Sequence, residues 1–319
     1  MHGSEHRLES TRHIVLPPAR PRPTRLQRAV LGARGALGVV PFALLAHASG
    51  LPGLEVRLRI AALAARIALG RGRVRSTAFY NMLCFPMDST RYFEFDFMWR
   101  RLRGLPGGRY LDVSSPRLLP MLFVDANPGL RATLVNPDPS DVAETFDLAE
   151  ACGLDSRCAC ESTLIEALSI PDGSLDVITS ISVLEHIRDD VAAVAHMWRM
   201  LRPGGRLLLS LPCAATAEQQ FLNVKTYDFT ANEDDGSVFH QYLYSEATLR
   251  RLCAVTGPPA VQEVYGERVK GFHLALYERK LRDRAYPFWR EPWFMTGFSR
   301  FASIQELPGE GVVLLEFVK

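Results

Sequence analysis

Two histidines have the positions and the chemistry expected of a general base. His186 directly follows a predicted strand, and His240 lies in a polar stretch further along the chain. Because an imidazole titrates near neutral pH, either side chain could take a proton from a hydroxyl group or a protonated amine. His186 could equally serve the fold, by a hydrogen bond to the start of the next helix, and His240 could belong to a solvated loop. Ser180, in the same predicted strand, is a further polar candidate.

The cysteines do not form a metal or disulfide pattern. Cys152, Cys158 and Cys160 are close in sequence, but they lack the paired C-x2-C spacing of structural zinc sites, and no histidine follows at a suitable interval. We therefore expect the six cysteines to be reduced, as in an intracellular enzyme, and no metal to be bound.

The candidate bases follow an alternation of short apolar runs and helical periods. Predicted strands cover residues 109–113, 132–136, 157–161, 175–181 and 206–211, and predicted helices cover residues 117–124, 140–151 and 189–201. This alternation predicts right-handed parallel crossovers, and therefore an α/β fold with a doubly wound, mostly parallel sheet and helices on both faces. Ligands of such sheets bind beyond the carboxyl ends of the strands, where the strand order reverses.

Residues 171–212 carry the most specific pattern in the chain. They contain an Asp-Gly-Ser-Leu-Asp-Val entry into the strand at 175–181, a Val-Leu-Glu-His exit at 183–186, and a Leu-Arg-Pro-Gly-Gly-Arg turn at 201–206. In this order and spacing, the three pieces closely resemble the class I S-adenosylmethionine-dependent methyltransferases of the small-molecule type. The resemblance implies a Rossmann-like, seven-stranded sheet whose last strand, at 311–318, is antiparallel to its neighbours. It also implies S-adenosyl-L-methionine as the cofactor.

The resemblance places cofactor contacts at the ends of the first strands. Asp112 matches the family's acidic residue at the end of the first strand. In the loop that follows, Ser114, Pro116 and Leu118 replace the family's glycines. Serine is small enough for close approach, whereas proline removes a backbone donor, at a cost of about 0.5–1.5 kcal/mol in affinity. The loop is therefore weakened by these replacements but still able to bind.

The second strand also departs from the family pattern. Asn136 stands where the family has an acid that accepts hydrogen bonds from both ribose hydroxyls, and Asp138 follows two residues later. A neutral amide accepts only one such bond well, so either residue is a candidate ribose contact. By the same resemblance, Glu161 is the candidate near the purine, and Ser180 completes the predicted cofactor contacts.

The resemblance implies transfer of a methyl group from S-adenosylmethionine to an oxygen or nitrogen atom of a small-molecule or glycan-like acceptor. Because a methyl sulfonium is electrophilic, such an enzyme mainly aligns the acceptor and excludes water, with His186 or His240 as an optional base. The alternative is a non-catalytic relative that binds a ligand or partner with a degraded cofactor site. A nicotinamide-dependent reductase is disfavoured, because the chain lacks that class's G-x-G-x-x-G turn and Tyr-x-x-x-Lys pair.

The net charge of +2 on the 319 residues is unevenly divided. Residues 1–75 hold 13 arginines against 3 acidic residues, a net of +10, which leaves residues 76–319 with 24 basic and 32 acidic residues, a net of −8. Phosphate contacts need clustered positive charge, so the acidic body argues against nucleic-acid binding. The basic N-terminal extension could instead meet an anionic surface.

The extension at residues 1–75 divides into three parts. Residues 1–34 are rich in arginine and proline and are expected to form a flexible arm. Residues 35–54 are apolar and uncharged, but their prolines and glycines argue against a membrane span or signal peptide. Residues 55–70 form an amphipathic helix whose stripe either packs on the main domain or lies on a membrane. We expect a cytoplasmic protein, with peripheral membrane contact through residues 35–75 as the alternative.

The main domain, residues 76–319, contains two aromatic-rich stretches. Residues 91–97 are predicted as a helix over the sheet edge, and in related enzymes such a segment closes over the cofactor. Residues 272–301 form an insertion that could be a lid, an acceptor pocket, a dimer interface or a patch beside a membrane. The sequence does not rank these four roles, and it leaves the oligomeric state open.

Overall fold

The computed structural model describes residues 10–15, 23–70, 76–224, 233–283 and 285–319. In these ranges the helices are α1 (Arg25–Ala48), α2 (Leu54–Leu69), α3 (Ser76–Cys84), α4 (Arg91–Leu102), α5 (Leu118–Ala126), α6 (Pro139–Ala151), α7 (Asp190–Met200), α8 (Glu246–Thr256), α9 (Phe272–Arg282) and α10 (Glu291–Met295). The strands are β1 (Ser10–Ile14), β2 (Gly108–Val113), β3 (Leu130–Asn136), β4 (Cys158–Ser162), β5 (Leu175–Ile181), β6 (Leu201–Ala214), β7 (Glu218–Leu222), β8 (Val238–Leu243), β9 (Val261–Glu267), β10 (Phe298–Phe301) and β11 (Glu310–Val318). Single 3-10 turns lie at Asp155–Arg157, Ile165–Ala167, Leu184–His186, Phe288–Arg290 and Ile304–Glu306.

A central sheet runs through the described chain as eight strands in the order β10-β9-β11-β6-β5-β2-β3-β4. The neighbours from β4 to β6 pair in parallel, whereas β11 is antiparallel to both β6 and β9. The strand order reverses between β2 and β5, which is where a doubly wound sheet opens a crevice for ligands. The predicted doubly wound, mostly parallel sheet is confirmed, and its last strand is antiparallel as the resemblance implies.

The central sheet has one strand more than the seven that the resemblance implies. The extra strand, β10, pairs antiparallel with β9 at the outer edge of the sheet. It comes from the aromatic-rich insertion at residues 272–301. A strand of four residues between short helices gives too little period-2 alternation to be recognised in a sequence.

Helices cover both faces of the central sheet because alternate strand residues point to opposite sides. On β2, Tyr110 belongs to the hydrophobic cluster shared with α4 and α5, whereas Leu111 belongs to the cluster shared with α7 and α8. On β5, Val177 and Ile178 divide in the same way. The two clusters hold the sheet between helical layers, so the carboxyl ends of the strands are fixed relative to one another.

A second sheet consists of three strands in the order β1-β7-β8. Strand β1 is parallel to β7, which is antiparallel to β8. The sequence predicts a flexible arm at residues 1–34, but the described parts of that range form β1 and the beginning of α1. The helix begins with a capping box, in which the Thr24 hydroxyl accepts from the Gln27 amide and the Gln27 side chain accepts from the Thr24 amide. This pairing satisfies two donors that a helix terminus otherwise leaves open.

The apolar stripe of α2 packs against the body of the protein. Val56 and Ile60 are completely buried, in one hydrophobic cluster with residues of α4 and α5. Arg57 is buried beside them and donates to the Tyr92 hydroxyl, at 3.0 Å, and to the Cys84 carbonyl, at 2.8 Å. The sequence left two alternatives for this stripe, packing on the main domain or contact with a membrane. In the structure the stripe packs on the main domain.

Truncation of the buried stripe should destabilise the whole fold. Ile60→Ala is expected to lower the free energy of unfolding by about 2–5 kcal/mol, because it leaves a cavity between α2 and the body. The control is Leu58→Ala on the same helix, where the side chain is 61% exposed and the expected change is within about 0.5 kcal/mol. Urea unfolding midpoints measure both. Equal midpoints for the two variants would show that α2 does not contribute to the core.

Candidate active site

A cavity of about 1210 Å³ lies at the carboxyl ends of β2, β3 and β5. Ser114, Asn136 and Ser182, each at or just after the end of one of these strands, are part of its wall. The volume exceeds the ~300–1,000 Å³ of ordinary small-molecule sites, so a cofactor and a second ligand can fit together. The cavity therefore occupies the strand reversal point that the sequence predicts as the binding site.

The loop after β2 keeps a glycine-like bend without a glycine. Ser114 has a φ of +53°, in the left-handed region that side chains rarely adopt. Its amide and its hydroxyl both donate to the Val135 carbonyl, at 2.8 and 3.1 Å. These two bonds offset the strain of the left-handed conformation, which is of order 1–3 kcal/mol. The serine that replaces a glycine in this loop therefore preserves the turn.

The carboxylate of Asp112 is buried beneath this loop. It accepts hydrogen bonds from the Tyr110 hydroxyl at 3.0 Å, the Thr179 hydroxyl at 2.6 Å and the Ser115 amide at 3.0 Å. Burial raises the pKa of Asp112, and the hydrogen bonds from Thr179 and Ser115 oppose that rise. The side chain is not part of the wall of the large cavity, and a direct ligand contact would require these bonds to break. Asp112 thus holds the loop in place, and its contact with a cofactor stays a prediction.

The end of β3 presents an amide and two carboxylates. The Asn136 side chain donates to Asp141, at 2.9 Å, and accepts from the Asp138 amide, at 2.9 Å. Asp138 begins α6 as its N-cap and accepts from the Ser140 amide at 2.8 Å. Asn136, Asp138 and Asp141 are all part of the cavity wall. Both predicted ribose candidates are therefore at the site, although the amide of Asn136 is already engaged within the protein.

Asp141 is a site residue that the sequence analysis missed. It lies on the cavity wall and pairs with Arg117, which also pairs with Glu144. A carboxylate has about four acceptor positions, so Asp141 can still accept bonds from a ligand. An acid in the first turn of a helix is common for electrostatic reasons alone. The sequence therefore gave no sign that this one faces a cavity.

Two predicted cofactor contacts, Glu161 near the purine and Ser180 in β5, lie away from the cavity wall. Glu161 is exposed on β4, away from the cavity wall, where Leu164, Ile165 and Glu166 lie instead. Ser180 is buried inside β5, and its hydroxyl has no hydrogen-bond partner among the described residues. Neither Glu161 nor Ser180 reaches the cavity in this structure, so their cofactor contacts stay predictions.

His186 lies on the cavity wall in the 3-10 turn after β5. Its Nδ1 is 2.5 Å from the carbonyl oxygen of His240, which can only accept, so Nδ1 carries the ring proton. In the neutral ring, Nε2 is then the unprotonated nitrogen. Burial lowers the pKa of His186, the bond to the His240 carbonyl opposes that shift, and the positive charge of Arg91 adds to it. The imidazole is therefore neutral at neutral pH and has the tautomer of a base.

His240 is not part of the cavity wall, although its ring centre is 5.4 Å from that of His186. Burial, with a smaller contribution from His186, lowers the pKa of His240 to about 4. A group with that pKa is a poor proton acceptor at neutral pH. The geometry thus favours His186 over His240 as the base, and gives the backbone of His240 the task of fixing the tautomer.

A buried polar network beside the cavity was also missed. Glu94, completely buried on α4, accepts from Arg91 Nη1 at 2.5 Å, from the Ser182 hydroxyl at 2.7 Å and from the Ser210 hydroxyl at 3.1 Å. Arg91 Nη1 also donates to the Ser182 hydroxyl, at 2.8 Å. The network ties α4 to the ends of β5 and β6 and fixes an arginine at the cavity wall. In the sequence, its only sign is that Glu94 is one of two acids inside an aromatic run.

Glu185 lies beside this network with an unsatisfied carboxyl group. It is 2% exposed, and its Oε2 has no hydrogen-bond partner among the described residues. Burial raises its pKa to about 8, the negative charge of Glu94 adds to the rise, and Arg91 opposes it. Glu185 is therefore mostly protonated at neutral pH.

The raised pKa of Glu185 predicts a pH dependence of stability. The unfolded carboxyl titrates near 4.5 and the folded one near 8, so its contribution is fully present below pH 4.5 and is lost as pH rises to 8. Glu185→Gln should remove this loss, and the variant should gain about 1.4 kcal/mol per pH unit over wild type within that window. Urea unfolding from pH 5.5 to 8 measures the difference, with Glu161→Gln on the surface as control. Parallel curves for Glu185→Gln and wild type would refute a protonated Glu185.

Residues 120–209 match the family model described as a methyltransferase domain. A probable S-adenosylmethionine-dependent methyltransferase of Mycolicibacterium smegmatis is 44% identical over 45 residues, or 14% of this chain and 18% of that protein. A ubiquinone biosynthesis O-methyltransferase of Xanthomonas campestris is 30% identical over 127 residues, or 39% of this chain and 51% of that protein. The chain thus spans between about a fifth and a half of these curated relatives.

The crystal structure of coclaurine N-methyltransferase, bound to N-methylheliamine and S-adenosylhomocysteine, has a TM-score of 0.50 and 14% sequence identity. The match covers 92% of this chain and 99% of that chain, and at such identity it establishes the fold. The chain therefore has the Rossmann-like fold of that enzyme, and residues 120–209 match a methyltransferase domain. The match supports S-adenosyl-L-methionine as the cofactor, as the sequence predicts.

Proposed function

We propose that the chain binds S-adenosylmethionine in the cavity at the ends of β2, β3 and β5 and transfers its methyl group to an acceptor. The observation that carries this proposal is the neutral His186 on the wall of a cavity large enough for two ligands, inside a methyltransferase domain. The names of two relatives, a ubiquinone biosynthesis O-methyltransferase and a 27-O-demethylrifamycin SV methyltransferase, favour an oxygen atom of a small molecule as the acceptor. The other outcomes of an acceptor screen are a nitrogen atom as the methylated atom, or a glycan-like molecule as the acceptor.

The chemistry of the cavity wall fits this cofactor. The carboxylates of Asp138 and Asp141 can accept hydrogen bonds from ribose hydroxyls, and Leu164 and Ile165 offer apolar surface to a purine. Arg91 offers positive charge to the carboxylate of the methionine portion. Its hydrogen bonds to the described residues both use Nη1, so with respect to these residues the donors on Nε and Nη2 remain for a ligand.

Bound S-adenosylmethionine supplies an electrophilic methyl group, so the protein need not activate the donor. The apolar side chains of Phe95, Ile187 and Phe239 on the wall exclude water and bind the body of an acceptor. His186 Nε2 would accept the proton of an acceptor hydroxyl as its oxygen gains the methyl group, or the proton of an ammonium before its nitrogen attacks. The methyl–sulfur bond would break, and S-adenosylhomocysteine would leave with its electron pair. The His240 carbonyl keeps the other ring nitrogen protonated throughout this step.

One observation favours the alternative of a non-catalytic relative. The Ser114 amide donates to Val135 and the Ser115 amide to Asp112, while Pro116 has no amide hydrogen. The backbone of Ser114, Ser115 and Pro116 therefore offers no hydrogen-bond donor to a cofactor. If the remaining contacts are too weak to hold S-adenosylmethionine, the cavity serves another ligand.

Calorimetric titration with S-adenosylhomocysteine separates the two functions. We expect a micromolar Kd for the wild type and a Kd raised about tenfold in Asp141→Asn, which corresponds to about 1.4 kcal/mol for the lost charged acceptor. The control is Glu144→Gln, because Glu144 pairs with the same arginine but is not part of the cavity wall. Absence of binding up to millimolar ligand would support the non-catalytic relative.

Replacement of His186 tests the base. In a methyl-transfer assay with an acceptor found among phenols, amines and sugars, His186→Ala should lower kcat by about a hundredfold or more. The wild-type rate should fall on acidification with an inflection below pH 6.5, because only the neutral imidazole accepts a proton. His240→Ala keeps the backbone carbonyl that holds His186, so its rate should fall less than about tenfold. An unchanged rate in His186→Ala, or a larger loss in His240→Ala, would refute the assignment.

A further inference from the structure

The first helix of the described chain carries an apolar face that no described residue covers. Leu26, Val30, Leu37, Val40 and Leu44 are spaced by 4, 7, 3 and 4 residues, so they form one stripe along α1. Their exposed fractions are 73%, 42%, 81%, 59% and 56%. At about 1.5 Å per residue, the stripe is about 27 Å long. An apolar surface of this length and continuity indicates a binding partner.

The opposite face of α1 is packed against the protein. Gly35, Val39, Ala43 and Ala46 are buried on that side. Gly38 lies so close to the Trp289 ring that a Cβ there would be 2.7 Å from it. By length and composition α1 could cross a bilayer, with 24 residues and a mean hydropathy of 1.8 in its most apolar window. Because one face is attached to the body, however, only the other can enter lipid, which is the geometry of a helix lying in the plane of the interface.

The charges around the stripe are all positive. Residues 10–54 contain arginines and no aspartate or glutamate. Arg25 and Arg34 are exposed on either side of the stripe, whereas Arg28 is exposed on the opposite face of α1. If two copies of the chain met through this stripe, the contact would combine the positive charges of both helices, with no acid on either helix to pair them. A surface of anionic lipid headgroups pairs the arginines at the edges of the stripe. Charge thus favours a membrane over a second copy as the occupant.

The segment that packs against α1 also exposes aromatic side chains. Trp293 on α10 is 43% exposed and Phe288 is 38% exposed, in the segment that packs beside α1. The guanidinium of Arg290 lies 5.6 Å from the Phe42 ring and links that segment to the helix. Tryptophan concentrates at the boundary between water and lipid because its ring is apolar and its N–H is polar.

We propose that α1 lies flat on an anionic bilayer surface. The stripe of Leu26, Val30, Leu37, Val40 and Leu44 enters the headgroup boundary, and Arg25 and Arg34, on either side of it, meet lipid phosphates. The protein is then peripheral to the membrane, and its methyltransferase domain stays in the aqueous phase. The binding is independent of methyl transfer, so it can be tested on the full chain without an acceptor.

Sedimentation with lipid vesicles tests this proposal. The full chain should sediment with vesicles of phosphatidylcholine containing about a third phosphatidylglycerol, and at least tenfold less with phosphatidylcholine alone or in 0.5 M salt. The double variant Leu37→Glu, Leu44→Glu should lose at least tenfold in vesicle binding. Both side chains are exposed, so its melting temperature should match the wild type. The matched control is Val269→Glu, at a residue 69% exposed elsewhere on the surface, which should bind as wild type does.

Two further measurements decide the outcome. The variant Arg25→Gln, Arg34→Gln should lose the preference for anionic vesicles. Light scattering should find the same oligomeric state in wild type and Leu37→Glu, Leu44→Glu. Equal binding by the double variant and the wild type would overturn the proposal. So would a wild-type dimer that ignores vesicles and dissociates in the double variant, because the stripe would then join two copies. Resistance of the bound protein to carbonate extraction would also overturn it, in favour of a spanning helix.

Discussion

The site depends on one topological constraint, the reversal of strand order between β2 and β5. Both strands are parallel and adjacent, but the chain leaves them toward opposite faces of the sheet, so the segments after them diverge and leave a gap. Every group assigned to the site stands at the rim of that gap: the serine loop after β2, the amide and carboxylates after β3, and His186 after β5. A change that closed the gap would remove the cavity whatever residues lined it.

Buried polar groups keep the rim in place. Asp112 holds the loop after β2 through Ser115, and Glu94 holds the end of β5 through Ser182. Ser182, like Ser114, has a left-handed φ, at +50°. Strained residues of this kind persist only where surrounding bonds determine them. The chain thus holds the rim with serine hydroxyls and buried carboxylates, and these bonds consume backbone donors that a ligand would otherwise find.

Local pattern was enough to predict the class of fold, the strands that end at the site and the position of His186, because each of these is encoded within a few residues. The elements that it did not predict depend on distant partners. Glu94 is bonded to serines 88 and 116 residues away, and β1 pairs with β7 more than 200 residues later. Apolar periodicity also does not tell which face of a helix is covered. The stripe of α2 is buried and that of α1 is exposed, although both segments are apolar in sequence.

The central claim, that this cavity is the cofactor site, is tested most directly by a crystal structure of the protein grown with S-adenosylhomocysteine. We expect ligand density between Ser114 and Ser182, with the ribose hydroxyls in contact with Asp138 or Asp141. The three hydrogen bonds of Asp112 should be intact. An empty cavity at saturating ligand, or the ligand bound elsewhere on the chain, would contradict it.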